Sequence, residues 1–200
     1  MGSLAPWGFY TLQGDELLCQ IPDDPFAAES VLRIAYHVAT VRAGGLLVHA
    51  SAIAFDKCAV AAVGPSGAGK STLANLCASA EGKGKLLTDE IVQLFPEGLC
   101  AGTPFRSNHE NVGSPGLYRL TSLLLLEKGS QERIDPVASH RGMPALLSQV
   151  FRSEALELSN AEVLRRLADT VEASGLHRLT FRNDAAVGPF LRQWVATCGS

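Results

Sequence analysis

The sequence predicts an α/β fold built on a mixed sheet, and three observations carry that expectation. Apolar runs of strand length alternate with stretches of helical periodicity from residue 27 to residue 195. A glycine-rich segment, Gly64 to Ser71, lies between one such strand run and a helix. The strand before it is reached through a two-residue link, too short for the crossover that parallel neighbours need.

Taken in order, residues 1–25, with "DELLCQIPDDP", read as a small strand and turn. A helix follows over Ala27 to Arg42, with Val31, Ile34, Ala35, Val38 and Val41 on one stripe and Gly44-Gly45 closing it. "LLVHASAIAF" is a strand, Asp56-Lys57 a turn, and "CAVAAV" the returning strand. If that turn has two residues, Phe55 pairs with Cys58, and counting back sets His49 opposite Gly64, about 5 Å away. After the glycine segment, Leu73, Leu76, Cys77 and Ala80 recur at helical spacing. "KLLTDEIVQLF" (Lys85 to Phe95) is a further apolar run with Asp89-Glu90 at its middle. Residues 96–116 read as a long Gly/Pro-rich loop, and loops of that length in small domains are usually functional or mobile. "TSLLLLEKG" is a strand. Ala161 to Ala173 is a helix capped by Ser159 or Asn160 and ended by Gly175. "HRLTFR" is a strand, and Val187, Phe190, Leu191 and Trp194 mark a last helix.

Two hundred residues suit a single domain spanning 1–200, and 46% hydrophobic against 18% charged residues excludes a disordered chain. A net charge of −3 without a basic stripe argues against a nucleic-acid partner. The sequence shows neither a signal-peptide pattern nor an apolar run of membrane-spanning length, so the expectation is a cytoplasmic protein without a membrane partner. Five scattered cysteines, odd in number and without C-x-x-C spacing, read as reduced and mostly buried thiols. No zinc spacing appears, nor an L-S-G-G-Q or N-K-x-D stretch, which argues against an ABC ATPase and a Ras-like GTPase.

The pattern Gly-x4-Gly-Lys-Ser is the chemistry-bearing motif. The loop Gly64, Pro65, Ser66, Gly67, Ala68 and Gly69 lets the backbone N–H groups of its non-proline residues curl around phosphate oxygens, and the following helix adds its positive end. Proline itself lends only its carbonyl and its fixed φ to such a loop. Lys70 reaches the β- and γ-phosphates of a nucleotide, the Ser71 hydroxyl joins a Mg²⁺ shell, and Thr72 continues the site. A nucleotide and Mg²⁺ are therefore the expected ligands.

Phosphoryl transfer needs a proton acceptor, and Asp89 is the candidate; a Walker-B-like acid holding metal through water is the other reading of the same position. Glu90 is the candidate second carboxylate for Mg²⁺, but adjacent strand residues face opposite ways, so the backbone must bend for both to serve. His49 on an apolar strand reads either as a satisfied core residue or, by its register beside Gly64, as a group orienting Asp89 or touching phosphate. Arg106 and Arg133 are each able to lend charge to a transferring phosphoryl group. His37, His109, His140 and His177 have no such assignment.

"VHASAIAFDKCAVAAVGPSGAGKSTLA…KLLTDEIVQL" resembles the catalytic domain of the HPr kinase/phosphorylase family, and more closely its short relatives associated with modification of ribosomally made peptides. "GTPFR", "RIDPV" and "RLTFRNDAAV" are similar to the same group, so the likeness runs over residues 40–190 and is strongest over 47–95. The resemblance implies a PEP-carboxykinase-like P-loop fold with a mixed sheet. It implies an ATP- and Mg²⁺-dependent serine kinase in which Asp89 is the base, His49 stands beside it, Lys70 holds phosphate, Ser71 holds metal and Arg133 is a later active-site arginine. Asp-Glu stands here where the family has Asp-Asp, Thr72 where full-length members carry Glu, and "GTPFRSNHE" where they carry L-E-x-R-G-x-G, so Arg106 or Glu110 would have to substitute. The family's N-terminal regulatory domain is not expected in this chain. The expected partner is a peptide or small protein bearing a serine, such as a natural-product precursor, with a homo-oligomer left open. A small-molecule kinase, a nucleotide hydrolase and a non-catalytic nucleotide-binding accessory protein are the alternatives.

Overall fold

A computed structural model describes residues 2–3, 9–105 and 113–198. In chain order the strands are β1 (Gly2–Ser3), β2 (Phe9–Gln13), β3 (Glu16–Gln20), β4 (Leu46–Phe55), β5 (Cys58–Val63), β6 (Lys85–Thr88), β7 (Ile91–Phe95), β8 (Leu99–Gly102), β9 (Leu117–Lys128), β10 (Arg133–Pro136) and β11 (Leu176–Phe181). The helices are α1 (Pro25–Arg42), α2 (Lys70–Ala78), α3 (Ser139–Leu147), α4 (Asn160–Ser174) and α5 (Val187–Cys198). The main sheet runs β10-β11-β9-β5-β4-β7-β8, with β6 also on β4. It is mixed: β5, β9 and β11 are parallel neighbours, and the remaining pairs are antiparallel. β8 pairs with the start of β9 as well as with β7, so five of the strands return on themselves.

The hairpin expected from Asp56-Lys57 is present: β4 and β5 are antiparallel, with Phe55 opposite Cys58 and Ala50 opposite Val63. Asp56 adopts φ 56°, the left-handed conformation that two-residue hairpin turns demand and that Asp tolerates. Alternation along β5 feeds two cores. Ala59, Ala61 and Val63 pack with Leu123, Leu167 and Val171 on the side of α4. Val60 and Ala62 pack with Leu73, Leu179 and Leu191 on the side of α2 and α5. Each fully buried valine or leucine among them contributes about 1.5–3 kcal/mol, and each alanine less.

α1 begins at Asp24, whose carboxylate accepts from Phe26 N at 2.8 Å and Ala27 N at 3.2 Å, with Pro25 at the first turn. α4 begins at Ser159, whose hydroxyl accepts from Glu162 N, and stops at Gly175 with φ 88°. Both agree with the sequence pattern. Three features do not. The run 85–95 is two strands rather than one. Residues 96–102, read as the start of a long loop, form a short turn and β8, whose Cys100 is fully buried; a four-residue strand next to glycines carries no periodicity of its own. α3 contains Gly142 and Pro144, both helix-disfavouring, and is held by burial of Leu146. The cysteines are free, but only Cys77 and Cys100 are buried; Cys19 and Cys198 are exposed, correcting the expectation of mostly buried thiols. Among the described residues no helix is long and apolar enough to cross a membrane.

The small sheet β1-β2-β3 packs on α1 through Tyr10, Ile34 and Val38, and His37 is buried on the same helix. His37 Nε2 bonds the Leu156 carbonyl at 3.0 Å while Nδ1 has no partner among the described residues. Burial lowers the pKa of His37, against the opposing hydrogen bond, and burial also lowers that of His177. An unfolded histidine titrates near 6.5, so as pH falls through that value the unfolded chain takes up the proton first and the fold loses stability. The melting temperature is expected to drop between pH 7.5 and 5.5, and to drop less in His37→Phe; thermal melts at both pH values for the two proteins measure this.

Candidate active site

The glycine loop between β5 and α2 needs its glycines at two positions. Gly67 (φ 79°) and Gly69 (φ 103°) are in the left-handed region, which side chains with a Cβ rarely enter. A Cβ on Gly69 would also lie 3.1 Å from Phe181 Cζ. The loop ends at α2, whose N-cap is Gly69 and which has no side-chain capping bond at that end. Backbone donors at such a helix start are able to receive an anion. Lys70 Nζ donates to the Gly64 carbonyl at 2.7 Å and to the Pro65 carbonyl at 3.2 Å. Burial pushes the Lys70 ammonium below the ordinary lysine pKa.

Beside this loop lies a cleft of about 480 Å³. Ser66, Gly67, Gly69, Lys70, Ser71 and Thr72 line it from the loop and α2; His49 lines it from β4, and Asp89 and Glu90 from the link between β6 and β7. The predicted residues that share this cleft came from segments about twenty residues apart, and sheet pairing is what assembles them. β4 is the organiser. Its second half pairs with β5 and its first half with β7, so His49 lies one pair beyond Ala50–Val63 and directly opposite Ile91.

The link carrying the two acids is bent, as the sequence required if both were to face the site. Thr88 Oγ1 accepts from Glu90 N at 3.2 Å and from Ile91 N at 3.3 Å, so a single hydroxyl takes up two amides that a continuous strand would have paired. The Glu90 carbonyl is tied to β4 by Ala50 N at 3.0 Å. Asp89 is 4% exposed, buried in the cleft wall. Glu90 differs from it: its Oε2 accepts from Arg33 Nη2 at 2.9 Å, and Arg33 also binds Glu29 at 2.5 Å and stacks over the Phe105 ring at 4.7 Å.

His49 is half-buried, and its pKa is lowered first by burial, then by the nearby Arg33 and Lys70 charges; Glu90 opposes, through its charge and a backbone hydrogen bond. The imidazole is thereby favoured in its neutral form, the one that accepts a proton. Phe151 lies against it, ring centroids 6.4 Å apart.

Arg133 stands apart from this group. It begins the edge strand β10, is largely exposed, pairs with Asp135 at 2.7 Å and does not line the cleft. Arg106, His109 and Glu110 lie outside the described residues. Three contributors escaped the sequence reading. Ser51, fully buried, donates to the Lys70 carbonyl at 3.0 Å and fastens β4 to the start of α2. A signal for it existed: in "HAS" the two polar residues are two apart on an apolar strand and so share a face. Gln149 lines the cleft because residues 149–151 run beside β4, with His49 N donating to the Gln149 carbonyl at 2.7 Å and Phe151 N to the Leu47 carbonyl at 2.8 Å. Arg33 comes from a helix that reads as plain amphipathic. Neither of these two had a sequence signal.

Among the described residues no group of three His, Cys, Asp or Glu side chains is arranged to hold a metal by itself. A Mg²⁺ site shared with phosphates needs only one or two protein oxygens, which the Ser71 hydroxyl and the Asp89-Glu90 pair are placed in the cleft to supply. No protein-family model matches the chain, and no curated protein matches it.

Proposed function

We propose that the chain is an ATP- and Mg²⁺-dependent kinase of HPr-kinase-like type on a PEP-carboxykinase-like P-loop fold, transferring a phosphoryl group to a serine hydroxyl of a peptide or small protein. The observation that carries this reading is one cleft holding the glycine loop with Lys70 and Ser71 on one side and His49 with Asp89 on the other. The loop amides and the start of α2 cradle the phosphates, and Lys70 leaves the Gly64 and Pro65 carbonyls to reach them. Asp89 accepts the proton of the attacking hydroxyl, and the neutral His49 ring orients that hydroxyl or the acid. Magnesium, when bound, neutralises phosphate charge; Ser71 would hold it, with Asp89 or Glu90 contributing through water and Glu90 restrained by Arg33. Arg133 has no part in this scheme.

The experiment is mass spectrometry of serine-containing peptides incubated with the protein, ATP and Mg²⁺. An added phosphate on serine is the expected result. Release of inorganic phosphate with no modified peptide would replace this reading with nucleotide hydrolysis, and no consumption of ATP would leave only a nucleotide-binding module.

A further inference from the structure

β4 has two successive neighbours along one of its sides. Ala50 to Phe55 pair with β5, which leaves the sheet after Val63 to become the glycine loop. Beyond that point residues 149–151 take its place. His49 N donates to the Gln149 carbonyl at 2.7 Å, Phe151 N donates to the Leu47 carbonyl at 2.8 Å, and Val48 bridges Val150. His49 and Gln149 therefore face each other across an antiparallel ladder, and such neighbours send their side chains to one face, about 5 Å apart. Both line the larger cleft. The segment is anchored from behind as well, since Gln149 N donates to the Leu146 carbonyl at 3.0 Å and Leu146 is fully buried. Gln149 is half-buried and supplies the one carboxamide in the cleft lining. Among the described residues that carboxamide makes a single bond, from Nε2 to the exposed Ser148 hydroxyl at 3.0 Å.

We propose that Gln149 grips the main chain of the acceptor beside its serine, so that the site reads a peptide unit rather than the flanking side chains. This rests on the kinase reading of the cleft given above. With the transferable phosphate on the glycine loop, the attacking hydroxyl belongs between that loop and the Asp89-His49 pair. The chain bearing it has to continue along the wall past His49, and Gln149 is the next residue there. In the same lining Glu90 is already held by Arg33 at 2.9 Å. A carboxylate only accepts, whereas a carboxamide both donates and accepts in one plane, the pattern that a peptide N–H and C=O complement. It also carries no charge, so it adds nothing to the repulsion between Asp89, Glu90 and an incoming phosphate chain. The backbone of 149–151 is fixed by the strand that carries His49, so the grip on the acceptor and the ring beside its hydroxyl keep one geometry.

The test uses the full chain with ATP, Mg²⁺ and a peptide pool in which one serine is flanked by randomised residues other than Ser, Thr and Tyr. Gln149→Met keeps the length of the side chain and removes its amide; melting curves check the fold. Its apparent KM for the pool is expected to rise at least about fivefold, with kcat lowered less than about threefold and ATP affinity within about twofold. Gln149→Glu, which keeps an acceptor and loses the donor, is a second variant expected to move KM the same way. Two further pools carry an ester in place of the amide before or after the serine. In the unmodified protein one of these is expected to lose at least about threefold in kcat/KM, and in Gln149→Met that loss is expected to disappear. An apparent KM within about twofold of the unmodified value in both variants overturns the role of Gln149, as does an ester penalty equal in both proteins. A loss of ATP affinity as large as the rise in KM also overturns it, by placing Gln149 on the nucleotide. If the unmodified protein phosphorylates no member of the original pool, the kinase reading itself falls, and this inference with it.

Discussion

Asp89→Asn is expected to reduce phosphoryl transfer by about 10²–10⁴-fold while ATP affinity moves by less than about threefold. The substitution keeps the volume and one oxygen of a side chain that is 4% exposed on the bend between β6 and β7, so the cleft wall is preserved. It removes the ability to accept a proton. The cradle is untouched, since the glycine loop and the start of α2 belong to other segments. Single-turnover transfer with labelled ATP, alongside equilibrium nucleotide binding, separates the two quantities. Transfer at the unmodified rate would exclude Asp89 as the base. A loss rescued by raised Mg²⁺ would identify it instead as a metal-holding acid.

Lys70→Ala has a different expected signature: transfer falls by about 10²–10³-fold and ATP affinity falls with it. The ammonium now rests on the Gly64 and Pro65 carbonyls, 2.7 and 3.2 Å away, and is partly withdrawn from water. A polyanion on the loop offers that charge a far stronger partner than two neutral carbonyls, both in the ground state and as transfer proceeds. Loss of kcat with unchanged affinity would place the lysine outside the cradle. Melting curves of the variant check that the loop carbonyls released by the truncation have not unfolded α2.

Much of this architecture was legible because local rules and global packing agree where the chain is regular. α1 and α4 carry caps, stripes and stops that point the same way, and the two-residue turn at Asp56-Lys57 dictates an antiparallel pair with a definite register. Legibility failed where tertiary pairing overrides propensity. β8 has four residues and exists because β7 and β9 offer it partners on both sides. α3 tolerates a proline and a glycine because Leu146 reaches the core. In the cleft, the residues with motif or register signals, Lys70, Ser71, Asp89 and His49, were found. Arg33 and Gln149 were not, since each reaches the site through long-range contacts with Glu90 and β4 that no local spacing records. Arg133 was named for its charge and from the resemblance, neither of which fixes its place, and it lies on an edge strand.

The turn between β4 and β5 has one more consequence, which is a matter of parity. His49, Ser51, Ile53 and Phe55 occupy alternate positions on β4; Ile53 and Phe55 pack on the α2 side, and Ser51 binds the first residue of α2. An insertion or deletion of one residue between Ala50 and Phe55 would leave the strand apolar and its ladder intact, yet would swing the imidazole to the α4 side and bring Val48 or Ala50 to the cleft. A lineage drifting in this segment can therefore change its length only in twos without losing the ring from the cleft.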